Sequence, residues 1–315
     1  MDRKERTLRA LQGLPVDRPP MVFWHHFVGA DMEKENFVDS HVRFYRETGE
    51  DFIKMMCDGF VALPDLNVQR PCDWRHIALP SMDDPFVQDQ LTHIKRLREA
   101  IQEETAVFYN VFNPVSTLRS STSDELVYDH LERREPALFE AITRVNEFKM
   151  EFMHRLISDA GVTGMFLPMQ NNDLNGFTGA CYHELLRPYD LSLVQEANRL
   201  SPYNIIHLCG YWGVPNRLEN WKDFPCAAMH WDVHTDKLSL QYFTKKKAVM
   251  GGFNNKEGSP IYLADRKAVI EHTKESVGEA GADGLIVAAD CSLLETVDHA
   301  RVRWVQEALD SMVKM

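Results

Sequence analysis

Asn204-Ile205-Ile206-His207-Leu208-Cys209-Gly210 is a short apolar run that ends in two metal-capable side chains. A run of this length, β-branched and bounded by Asn and Gly, reads as a buried strand. Side chains on a strand alternate faces, so His207 and Cys209 point to the same side. Seven further runs have the same character: Met21–His25, Phe52–Met56, Val107–Val111, Gly164–Met169, Ala227–Trp231, Ala248–Gly251 and Leu285–Ala288. Between them lie amphipathic stretches. Pro136–Ala160 carries Leu138, Ile142, Val145, Phe148, Phe152 and Leu156 at three- and four-residue spacing, and Tyr182–Leu200, Asp236–Lys245 and Asp265–Ala280 read as helices too. Strand and helix in alternation predict a parallel sheet, and eight runs predict an α/β fold of the closed (β/α)8 TIM-barrel kind.

The chain of 315 residues fits one such domain, 1–315. Arg3–Gln12 reads as an amino-terminal helix capping the barrel. Residues 57–105 separate the second and third runs and hold Pro64, Pro71, Pro80 and Pro85, more than one crossover helix requires. This segment is expected to be an insertion over the carboxyl face, serving as a lid or docking element, or else a solvated loop.

A barrel places function on the loops that follow its strands. His25 and His26 follow the first run, Asp58 the second, and Gln170 and Asn171 the fourth; Asn110 and Asn113 lie at the third. His207 and Cys209 end the fifth, Asp232 ends the sixth, Asn254 and Asn255 follow the seventh, and Cys291 follows the last. Two thiolates and an imidazole suit Zn²⁺, and three protein ligands leave the fourth tetrahedral position open for chemistry. The alternative is that each is an ordinary core residue, because Cys and His on apolar strands are commonly buried. Asp232 is expected to orient His207 or to cap the following helix, and Asp58 to act as an acid/base or as a cap. His25, Gln170, Asn171 and Asn254 are the candidate substrate contacts, against simple satisfaction of loop backbone.

Composition narrows the rest. Thirty-five Lys+Arg against 47 Asp+Glu give a formal charge of −12, the wrong sign for a nucleic-acid binder. Six cysteines are too sparse for a disulfide framework, no stretch approaches a membrane span, and no apolar leader follows Met1-Asp2-Arg3-Lys4. The expectation is a cytoplasmic protein with reduced thiols.

Leu8-Arg9-Ala10-Leu11-Gln12-Gly13 followed by Pro15-Val16-Asp17-Arg18-Pro19-Pro20 resembles the opening of the uroporphyrinogen decarboxylase superfamily. Asp58–Asp65 and Tyr182–Tyr189 are similar to later blocks. The resemblance implies a (β/α)8 barrel and two candidate chemistries. In the decarboxylases an arginine-rich segment after Pro-Pro binds substrate carboxylates; here Phe23–Ala30 contains no arginine, although Asp58 matches the place of their catalytic aspartate. The zinc-dependent methyltransferases, which move a methyl group between a corrinoid protein and a thiol such as coenzyme M, have a zinc motif similar to His207-x-Cys209 with a distant Cys291. The resemblance thus implies zinc, a corrinoid supplied on a partner protein and a small thiol, with decarboxylation of a tetrapyrrole or other carboxylate as the alternative. A zinc that only braces the fold is the third reading.

Overall fold

The structure is a computed structural model that describes residues 1–64, 66–102, 104–170, 178–210, 213–243 and 247–313. Seven parallel strands form one sheet in sequential order: β1 (Phe52–Met55), β2 (Ala106–Asn110), β3 (Gly164–Met169), β4 (Ile205–Leu208), β5 (Ala228–Trp231), β6 (Ala248–Phe253) and β7 (Leu285–Ala289). All are buried along their length, as expected for strands covered on both faces. Helices follow most strands, and the fold is TIM-barrel-like.

The first apolar run, Met21–His25, is a correction to the expected count of eight. It makes two isolated parallel bridges, Met21 with Val287 and His25 with Leu293, instead of a strand. On one side Val22 donates to Val287 O at 3.0 Å and Val287 to Pro20 O at 2.8 Å. On the other side Asp51 donates to Met21 O, but the amides of Met21 and Phe23 go to the carboxylates of Asp51 and Glu50, at 2.9 and 2.6 Å. Side chains have taken the donors that a ladder would use, so regular pairing with β1 does not develop.

The helix Arg3–Leu11 begins at Asp2, whose side chain accepts from Glu5 N. It meets the amino end of β1 through Arg6, which donates to the fully buried Asp51 at 2.6 Å; Arg18 donates to the other oxygen of the same carboxylate at 2.7 Å. The helix Pro136–Ser158 follows its predicted stripe: Leu138, Ile142, Val145, Phe152 and Leu156 are buried. The predicted helix Asp236–Lys245 does not form over its described residues. A turn over Val233–Asp236 ends at Lys237, which has a positive φ of 55°, and only Leu240–Tyr242 is helical beyond it, as a 3₁₀ turn; residues 244–246 lie outside the described residues.

Within 57–105, Pro85–Ala100 is a helix that packs beside Phe37–Thr48 in the manner of a crossover helix. Ahead of it, a 3₁₀ turn at Pro71–His76 packs on Pro136–Ser158, and its buried Trp74 donates to His130 Nδ1 at 2.8 Å. Among the described residues no helix is long and apolar enough to cross a membrane.

Candidate metal centre

The strand parity read from Asn204–Gly210 brings its two end groups to one wall. His207 and Cys209, from β4 and the residue after it, line a cavity of about 520 Å³, and Cys291, two residues beyond β7, lines it with them. The three ligand atoms all lie within 4.8 Å of one another. Cys291 Sγ is 3.6 Å from His207 Nε2. With metal–sulfur bonds of ~2.3 Å and metal–nitrogen bonds of ~2.0 Å, the sulfur–nitrogen edge of a zinc tetrahedron is ~3.5 Å. The donor set and its spacing therefore fit a tetrahedral ion, and no fourth His, Cys, Asp or Glu joins the group among the described residues.

The electrostatics of the two sulfurs are shared. A hydrogen bond from Cys209 and one from His207 favour the thiolate at Cys291, whereas Cys209 is held protonated by that same contact and by burial. One thiolate is thus favoured without an ion, and a second must be drawn out by a cation. His207 stacks on His230 with ring centroids 4.5 Å apart, and its Nδ1 is buried with no hydrogen-bond partner.

The expected contact from Asp232 to His207 is not made. Asp232 accepts from Thr235 N at 2.8 Å and from its hydroxyl at 2.5 Å, and lies 3.5 Å from Lys256 Nζ, so it caps the turn after β5. It instead abuts Gly210, where an added Cβ would stand 2.6 Å from Asp232 Oδ2.

His25 does not reach the cavity. It is buried between Phe27 and Phe44, with ring centroids at 4.6 and 4.9 Å, and its Nδ1 bonds the backbone oxygen of His26. His26 lines the cavity instead and pairs with Asp58 at 2.6 Å. Hydrogen bonds from His26 and from the Phe27 amide hold the Asp58 carboxyl below its ordinary pKa, against the opposing effect of burial. Gln170 lies on the wall with its amide 3.9 Å from Cys209 Sγ. Asn254 turns away, accepting from Lys256 N, and Asn255 takes its place on the wall. Asn171 lies outside the described residues.

Sequence reasoning passed over Lys54, Trp24 and Phe166, which also line the cavity. Lys54 had a visible signal, a charge within the apolar Phe52-Ile53-Lys54-Met55-Met56. Its ammonium is buried over the rings of Trp24 and Phe166, at 4.6 and 5.0 Å from their centroids.

Comparison with known proteins places the fold. A methyltransferase from Methanosarcina mazei is similar with a TM-score of 0.83 at 15% identity, covering all of both chains. A B12-independent methionine synthase from Shewanella sp. W3-18-1, in complex with selenomethionine, gives 0.53 at 11% identity over 95% of this chain and 93% of that one. An endo-1,4-beta-mannanase from Rhizomucor miehei gives 0.53 at 8% over 94% and 96%. Identities this low establish a shared fold alone. No curated protein matches by sequence. The family model for uroporphyrinogen decarboxylase (URO-D) matches residues 63–312, from the segment before the Pro71–His76 turn through the last helix, and the chain belongs to that family.

Proposed function

We propose that the chain is a zinc-dependent methyltransferase that moves a methyl group between a corrinoid carried on a partner protein and a small thiol. The reading includes closure of a (β/α)8 barrel by Pro20–His25 as its eighth stave, with the cavity at the carboxyl end. The observation that carries it is three soft ligands on the wall of an open cavity, with no fourth protein ligand among the described residues. A bracing zinc would call for a closed set of four.

His207, Cys209 and Cys291 would hold the ion. When bound there, zinc supplies a centre that keeps an incoming thiol ionised yet nucleophilic. The remaining wall serves the substrate: Trp24, Phe166 and Met56 offer apolar surface that excludes water, and Gln170, Asn110 and Asn255 offer amide groups that orient polar atoms. Asn110 Oδ1 and Asn255 Oδ1 are buried without a partner, two acceptors left for a ligand's donors. The corrinoid is too large for this cavity and would be presented at its mouth.

The test is metal content. The parent protein is expected to carry one zinc per chain, and Cys209→Ala, Cys291→Ala and His207→Ala to lose it on dialysis. Retention of zinc by either cysteine variant at the parent level would overturn the assignment.

A further inference from the structure

Among the described residues of the cavity wall, the three metal-capable groups are already assigned and Lys54 is an ammonium, which leaves His26 as the remaining base. Its neighbours select the tautomer of its neutral ring. Trp24 Nε1 can only donate, and it donates to Ser292 Oγ at 3.1 Å. The Ser292 hydroxyl hydrogen is then free for the other neighbour of that oxygen, His26 Nε2 at 3.3 Å. Asp58 Oδ1, 2.6 Å from Nδ1, belongs to a carboxylate that can only accept, so the neutral ring carries its hydrogen on Nδ1 and leaves Nε2 to accept from the Ser292 hydroxyl. The far end of the chain is fixed as well: Asp58 also accepts from Phe27 N, and Asn255 Nδ2 donates to Ser292 O at 3.1 Å. Trp24, Ser292, His26 and Asp58 thus form one directional line of hydrogen bonds along the cavity wall. A carboxylate that sets an imidazole's tautomer, with a hydroxyl on its other nitrogen, is a general-base arrangement.

We propose that His26, positioned by Asp58, accepts the proton of the thiol substrate over the Ser292 hydroxyl. The inference rests on the thiol reading given above and adds the group that takes the proton. The S–H bond breaks and its electron pair stays on sulfur. The proton passes to Ser292 Oγ while the serine's own proton moves to His26 Nε2, so the serine ends neutral and His26 ends as an imidazolium beside the Asp58 carboxylate. The His26 side chain is 61% exposed, which gives that proton a way out to solvent. His26 is the catalytic residue in this step, and Asp58 acts through it as a positioning residue.

The experiment loads the protein with cobalt(II) in place of zinc and follows by stopped flow the increase in sulfur-to-cobalt charge-transfer absorption over that of Cys209 and Cys291, with no methyl donor present. Two probes are compared near neutral pH: ethanethiol, which must lose its proton on arrival, and thiophenol, which is already largely ionised. His26→Asn, Asp58→Asn and Ser292→Ala should each slow the ethanethiol band, His26→Asn by on the order of 10²-fold. Thiophenol should be unchanged to within about twofold in all three. Asp58→Glu should recover part of the ethanethiol rate. Equal slowing of both thiols, or no slowing of either, would overturn the relay while leaving the thiol reading intact. No increase with either thiol in the parent protein would overturn the thiol reading and the relay with it.

Discussion

Lys54 brings an ammonium onto the buried cavity wall with Met56 Sδ, 3.0 Å away, as its hydrogen-bond acceptor. Burial pushes its pKa down to about 8, against the opposite pull of nearby Cys57, Cys291 and Asp58. A lysine whose folded pKa lies below its unfolded one loses its proton first in the folded state. Its cost is fully present below about pH 8 and fades as pH rises toward the unfolded value of ~10.4, so stability gains with pH across that window. Lys54→Met is therefore expected to stabilise the protein by roughly 1–3 kcal/mol near neutral pH, with the advantage shrinking towards pH ~10. Urea midpoints of parent and variant at the two pH values decide it. The thiols of Cys57 and Cys226, each pushed up to about 11 by burial, contribute the opposite slope, but equally in both proteins. An advantage that stays constant with pH would mean that the lost charge is not its source. The residue-level identities of the cavity were only half legible for a related reason. A shift of one position moves a side chain to the other face, so Asn255 and His26 reach the wall where Asn254 and His25 were expected.

The elements carry the proposed metal site through β4, whose end is pressed against the turn after β5. Asp232 is immobilised by Thr235 and Lys256, so it cannot retreat from an added methyl at Gly210, whose Cβ would stand 2.8 Å from the Asp232 Cβ. Gly210→Ala should shift the chain immediately after Cys209, lowering zinc affinity by about tenfold and stability by roughly 1–3 kcal/mol. Gly179→Ala, where an added Cβ meets nothing within 4 Å, is the matched control and should change neither. Zinc competition with a chromophoric chelator and a thermal melt read both quantities; parent-like zinc affinity in Gly210→Ala would show that the end of β4 adapts. At this scale the sequence is most readable. Gly164–Met169 has the predicted bounds, and β1, β2, β4, β5, β6 and β7 fall within a few residues of theirs, because a strand buried on both faces must be apolar throughout. The first run could not be read this way, since the carboxylates of Glu50 and Asp51 that replace its ladder partners lie some twenty-five to thirty residues further on. Asp232 faced two equal options, and the short turn it caps supplied nearer donors than His207 did.

For the whole molecule, family membership makes decarboxylation the rival reaction, and charge separates the two. The described cavity wall offers Lys54 as a cation and no arginine, too little for a tetrapyrrole bearing several carboxylates. Uroporphyrinogen is expected not to be turned over, and conversion to coproporphyrinogen at an enzyme-like rate would reverse the preference. Methyl transfer from a carrier protein also demands a surface. Val28, Met32, Leu238 and Leu263 are exposed large apolar side chains in segments that follow Met21–His25, β5 and β6, on the carboxyl side of those strands as Cys209 and Cys291 are of β4 and β7. Val61, in the segment after β1, lines the cavity itself. If a corrinoid protein docks across this rim, changing Val28, Met32, Leu238 and Leu263 together to Ser should weaken methyl transfer from protein-bound methylcorrinoid by on the order of tenfold, because apolar anchors carry most of an interface's energy. Transfer from free methylcobalamin should stay near the parent rate, since the free cofactor needs no docking surface. Equal losses for both donors would place these residues in folding or in substrate access, and the docking face would have to lie elsewhere.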